Sequence, residues 1–260
     1  MPLILLGFMG VVWLVKRPFF WRQWRSWAVL LAVTAVLAIP LIINLQNQPE
    51  TEGRVEELAV PLVEARQGNF APLREYVVTT LGMFHATGDD EWLYNIPGRP
   101  LFGVVGAVFF WGGVLLALGD SLQLFGAGLR RRPISLAAER GGLAAIFLLL
   151  WWLAGIAPAF ISVPPASLGH TILAQPATYI LAGLPVGRLA MAKWASGRPF
   201  LASKSQSSLP FLAALLLIGS IAARDLPDYF QRWPERGMVR FLYRADIQDV
   251  AECVAYRADM

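Results

Sequence analysis

Charge is what this sequence has least of: Asp, Glu, Lys and Arg together make up 15% of its 260 residues, where an ordinary soluble domain carries about 25%. Too little polar surface remains to coat a water-soluble particle of this size. Cysteine is nearly absent as well. Cys253 stands alone, which excludes an intrachain disulfide, and with two histidines in the whole chain no Cys/His cluster of zinc-like spacing can be assembled. The stretch before Lys16 has no charge ahead of its apolar run, so it lacks the positive leading region of an export signal; Lys16 and Arg17 follow the run instead. What the chain does have is hydrocarbon. Apolar residues reach 56%, with ten Trp and 15 Phe, and the mean hydropathy is +0.52. These values describe a polytopic membrane protein. The pI of about 9.5 would suggest nucleic acid only if the basic residues lined one face. They alternate along the chain instead, so no nucleic-acid partner is expected and the charge is read as a topology signal.

A helix rises about 1.5 Å per residue and the hydrocarbon core is about 30 Å thick, so a crossing needs roughly 20 apolar residues. The uncharged runs predict an all-α transmembrane bundle of about six spans, near 1–15, 28–46, 100–119, 143–163, 172–194 and 207–223. The fourth and fifth come from one uncharged stretch, 141–187, split by the helix-breaking residues of VPPASLGHTILAQP. The first is short for a full crossing and reads as the remainder of a longer helix, which leads to the expectation that the chain starts partway through a larger protein. Residues 1–223 form the transmembrane region, and 224–260 form a tail read as the start of a truncated C-terminal domain.

Arginine-rich segments at 16–27, 120–142 and 193–208 fall on one side of a six-span arrangement. The positive-inside rule makes that side cytoplasmic. A multi-pass protein of the cytoplasmic membrane follows, with both ends of the segment extracytoplasmic. The acid-rich loop 46–99 also faces outward, and at this length a loop is usually functional. Within it Phe70, Leu73, Val77, Leu81 and Phe84 recur at helical spacing. The stripe suits a helix lying on the bilayer or one packed on neighbouring spans. In the tail, Ile247, Val250, Ala251, Val254 and Ala255 mark one face of a further helix.

The stretch FHATGDDEWLYNIPGRPLFG holds the polar candidates. Asp89, Asp90 and Glu91 form an acidic cluster at a glycine turn, and Arg99 stands where the loop meets the next span. Carboxylates beside an arginine at headgroup height could hold a divalent cation and a lipid phosphate together. The plainer reading is a solvated acidic turn and a snorkelling arginine. Arg188, a lone charge in its apolar run, reads as snorkelling too. No cofactor is required by the sequence; a divalent metal at the acidic cluster is the one possibility it raises.

The run GDDEWLYNIPGRPLFG, the later WWLAGIAPAFIS with PPASLGHTILAQPATYILAGLP, and the tail DYFQRWPERGMVRFLYRADIQDVA resemble bacterial members of glycosyltransferase family 39, protein-mannosyltransferase-like enzymes of the GT-C class. The resemblance implies a multi-spanning enzyme that takes a sugar from a polyprenyl-phosphate carrier and adds it to an extracytoplasmic acceptor. It implies further that the essential acid, a general base towards the acceptor, lies in a first loop that no segment here matches. The chain thus resembles a C-terminal half, with the missing N-terminal half as a partner and the catalytic residue unknown. Relatives often place an arginine where His170 stands, and a mostly uncharged imidazole departs from that pattern. Arg99, His170 and Asn95 are the donor-side candidates that the resemblance implies. Two other classes stay open: a non-catalytic membrane scaffold, and a transporter subunit. The second is disfavoured because the one charge within a span is the peripheral Arg188 and no clear internal repeat is present.

Overall fold

The computed structural model describes residues 2–47, 59–91, 93–130, 133–195 and 208–234, together with Ile247, Val250, Ala251, Cys253 and Val254. Among the described residues the chain is all-α. Its helices are α1 (Pro2–Val15), α2 (Arg17–Arg22), α3 (Trp24–Asn47), α4 (Val60–Arg66), α5 (Ala71–Gly82), α6 (Val104–Leu129), α7 (Leu136–Ile161), α8 (Gln175–Ala195) and α9 (Leu209–Pro227). A 3-10 turn, Ile172–Ala174, leads into α8, and a π turn, Asp228–Arg232, extends α9. The five tail positions are helical and exposed; the rest of the expected tail helix, like the 196–207 part of the third basic segment, lies outside the described residues.

Among the described residues four helices are long and apolar enough to cross a bilayer: Trp24–Asn44, Val104–Leu129, Leu136–Ile161 and Leu209–Arg232. They account for four of the six expected spans. At 14 residues, α1 reaches only about 21 Å. α8 is 21 residues long and is interrupted by Pro185 and charged at Arg188. Both pack into the bundle, but α1 falls short of a span in length and α8 in hydropathy.

Helix ends depart from the uncharged runs, because pairing, rather than absence of charge, decides where a buried helix stops. The span expected to end at residue 119 continues through Asp120 to Leu129. Asp120 forms an ion pair with Arg188 of α8, and the Ser121 hydroxyl donates to the Ala117 carbonyl at 2.7 Å. Arg188 therefore has a partner in the bundle and does not simply snorkel. The expected loop 120–142 shrinks to the short connection between α6 and α7, where the Ser135 side chain accepts from the Ala138 amide and starts α7.

The core lies between α6, α7 and α8, closed at one end by the segment after α5. Phe84 stacks on Phe110 with ring centres 4.7 Å apart, Phe102 on Phe110 at 5.5 Å, and Trp152 meets Phe84 at 5.6 Å. Phe84 comes from the helical stripe read in the sequence, yet α5 ends at Gly82 and Phe84 enters the core from the following turn. α5 packs on α7: the Thr80 hydroxyl donates to the Ala159 carbonyl at 3.2 Å and accepts from the Ala166 amide. α5 thus packs on a neighbouring long helix, in line with one of the two readings of that stripe, while Phe70 within the stripe remains exposed.

Close approach depends on small residues, as is usual where lipid removes the hydrophobic incentive for helices to associate. A Cβ on Gly113 of α6 would collide with the Leu181 carbonyl of α8, and one on Gly155 of α7 would sit 2.7 Å from the Ala174 backbone. α3 contrasts with this bundle, since none of its apolar window is buried.

Candidate functional site at one end of the bundle

Three segments far apart in sequence meet at the end of the bundle where α6 begins: the described residues of 88–101 (88–91 and 93–101), the turn 162–174 between α7 and α8, and residues 224–234. The first is closed on itself by paired amides. Gly88 N–H donates to the Gly98 carbonyl and Gly98 N–H to the Asp89 carbonyl, each at 3.1 Å. Glycine is needed at both positions: Gly98 has φ +72°, and a Cβ on Gly88 would overlap the Arg99 carbonyl. Asn95 staples the turn, its Nδ2 donating to the Arg99 carbonyl at 2.7 Å and to the Asp89 carbonyl at 3.0 Å. Both amide protons are thereby used, and its Oδ1 is what it offers to a ligand.

Asp89 fastens this turn to the next segment. It is 3% exposed; Oδ1 accepts from the Glu91 amide at 2.9 Å and Oδ2 from the Leu168 amide at 2.7 Å. Asp90 and Glu91 are exposed. The acidic triplet is thus divided between one structural carboxylate and two solvated ones, and among the described residues no three His, Cys, Asp or Glu side chains gather where they could hold a metal ion. Adjacency in the chain does not bring these three carboxylates together in space, and the solvated-turn reading holds for Asp90 and Glu91.

Arg99 points across to the end of α9. Its Nη2 lies 2.5 Å from Asp225 Oδ1 and 2.9 Å from Asp228 Oδ2. Asp228, with a side chain 7% exposed, also meets Arg232 Nη1 at 2.9 Å. The neighbouring Arg224 donates from Nη1 to the Leu101 carbonyl at 3.1 Å and from Nη2 to the Pro100 carbonyl. Gly103 leaves room for its stem, since a Cβ there would sit 3.3 Å from Arg224 Cδ. Arg99, Asp225 and Asp228 border a cleft of about 490 Å³ whose walls also include Asn95, Tyr94, Tyr179, Tyr229 and Trp233. Both carboxylates meet the same nitrogen of Arg99. Among the described residues no acceptor meets its Nη1 or Nε, so within them the guanidinium is held through a single nitrogen.

Arg99 and Asn95 are therefore brought together, and His170 is not. His170 lies outside the cleft wall, 2.9 Å by its Nδ1 from Ser162 Oγ. That hydroxyl gives its own proton to the Pro158 carbonyl at 2.6 Å, so the imidazole Nδ1–H is the donor. Sequence reasoning missed Tyr179, Arg224, Asp225 and Asp228. The available signal was the charged cluster Arg224, Asp225, Asp228 and Arg232 directly after an apolar run, with both Asp225/Asp228 and Asp228/Arg232 at helical spacing.

Comparison with protein-family models, with curated proteins and with solved structures finds no match for the chain.

Proposed function

We propose that this chain is part of a membrane glycosyltransferase using a polyprenyl-phosphate-linked sugar, and that the cleft beside Arg99 receives the donor headgroup on the extracytoplasmic side. The observation that carries the reading is that two carboxylates hold Arg99 through one nitrogen at the wall of an aromatic-lined cleft, at the end of a bundle whose helices are long and apolar enough to span a bilayer. When the bond between sugar and carrier breaks, negative charge grows on the departing phosphate. A fixed guanidinium edge stabilises it without having to reorganise. Tyr94, Tyr179 and Tyr229 offer flat apolar faces to a pyranose ring, and Asn95 Oδ1 can accept from its hydroxyls. Asp225 and Asp228 are engaged in ion pairs and serve to orient Arg99; activation of the acceptor is not assigned to them.

The test is binding of a short-chain polyprenyl-phosphate-hexose to the purified protein in nanodiscs, read by tryptophan fluorescence. Saturable binding is expected, weakened roughly tenfold by Arg99→Gln, as fits the loss of a charge-assisted contact, and weakened less by Arg99→Lys. Binding that is absent, or that Arg99→Gln leaves unchanged, overturns the proposal. A non-catalytic scaffold is the second reading, favoured by the unburied α3. It predicts no donor binding, together with crosslinks from α3 to another polypeptide.

A further inference from the structure

The opposite end of the bundle carries a second surface that the donor cleft does not use. The chain turns there through Lys16, between α1 and α2, and again at Gln23, between α2 and α3. Lys16 Nζ lies 2.6 Å from Glu139 Oε2 of α7, which fixes this elbow to the main bundle. From Lys16 to Trp27 the sequence has four cations and no acid. Arg17, Arg22 and Arg25 are exposed, and each lies over an aromatic ring. Arg17 sits 4.5 Å from the Trp13 ring centre, Arg22 5.9 Å from Phe19, and Arg25 5.7 Å from Trp24.

Depth follows from the neighbouring spans. The apolar window of α3 begins at Trp24, α6 ends at Leu129 and α7 begins at Leu136, so the elbow stands where hydrocarbon gives way to headgroups. Trp21 and Trp24 are 62% and 54% exposed, as suits interfacial rings that rest in lipid. Between the elbow and the end of α6 lies a cavity of about 360 Å³, walled by Val15, Lys16, Leu124, Gly128, Pro133 and Ile134. Apart from Lys16, whose ammonium is paired with Glu139, these residues are apolar or glycine. Arg130 and Arg140 are exposed at the same end.

We propose that this elbow binds the headgroups of anionic glycerophospholipids in the adjoining leaflet. An acidic protein segment would satisfy the cations equally well. The rings interleaved with them, exposed and continuous with a spanning helix, favour a lipid. Stacking on the rings holds the guanidinium groups at the surface while leaving their N–H edges to phosphate. Juxtamembrane cations act roughly additively on anionic lipid, so the selectivity should be measurable on the intact chain.

The experiment is native mass spectrometry of the full chain released from nanodiscs of equimolar phosphatidylglycerol and phosphatidylcholine. Retained phosphatidylglycerol should exceed phosphatidylcholine by at least about fivefold. The triple variant Arg17→Gln, Arg22→Gln, Arg25→Gln should bring the two within about twofold, while the corresponding triple lysine variant keeps most of the preference. Should the glutamine variant fail to fold, wild-type protein at 0.5 M salt, on the order of a 4 Å screening length, should lose most of the preference. Equal retention of both lipids by wild type, a preference kept by a folded glutamine variant, or one indifferent to salt overturns the proposal. The outcome is independent of whether the distant cleft binds a sugar donor.

Discussion

At the scale of single residues, the two carboxylates facing Arg99 are unequal. Asp228 is nearly enclosed and stands between two arginines, whereas the Asp225 side chain is 38% exposed. Truncating a buried member of an ion pair leaves an uncompensated charge, and truncating an exposed one costs little. Asp228→Ala should therefore lower stability by about 3 kcal/mol and Asp225→Ala by less than about 1 kcal/mol, compared by denaturant titration in detergent. Asp89→Ala should cost about 2 kcal/mol, because it removes a buried carboxylate on which the amides of Leu168 and Glu91 converge. Hydrogen exchange at Leu168 should then accelerate. Legibility at this scale was uneven. Arg99 could be singled out because an arginine at the mouth of a span is conspicuous in a chain poor in charge. Its partners could not, since a pairing across 126 residues leaves no trace in one sequence. Asp89 was visible, but its duty was not: whether a carboxylate faces solvent, a metal or backbone amides depends on which loop folds over it.

At the scale of elements, hydrocarbon length located the helices and packing chemistry set their limits. Four expected spans coincide with helices that can cross a bilayer, because about 20 apolar residues admit few other fates. The ends shifted where a charge found a partner on a neighbouring helix, as Asp120 did with Arg188. Glycine makes the closest test of that packing. Gly113→Ala drives a methyl into the Leu181 carbonyl on α8 and should destabilise the protein by about 2 kcal/mol or more. Gly183→Ala, with nothing within 4 Å of its added carbon, should leave the unfolding midpoint nearly unchanged or raise it slightly. Equal behaviour of the two variants in thermal unfolding would mean that α6 and α8 do not approach as described.

At the scale of the whole molecule, the ends of the bundle carry different chemistry: arginines stacked on rings at the α1–α2 elbow, tyrosines and paired charges around the cleft. The proposed orientation puts the cleft outside. In a protein with Cys253 replaced by serine, Glu91→Cys should react with a membrane-impermeant maleimide on intact cells, because Glu91 is exposed beside the cleft. Labelling only after lysis would reverse the orientation and remove the extracytoplasmic donor site.

The contacts made by Asp89, Asn95, Arg99 and Arg224 cross-link strands of chain that helix packing alone would leave free. Helices in a bilayer can tilt and slide on one another at modest energetic expense. Lashed together at one rim, α6, α7 and α9 are limited to pivoting about it. Breathing of the bundle should then grow with distance from that rim, and a lipid-filled gap should open first on the opposite side of the membrane.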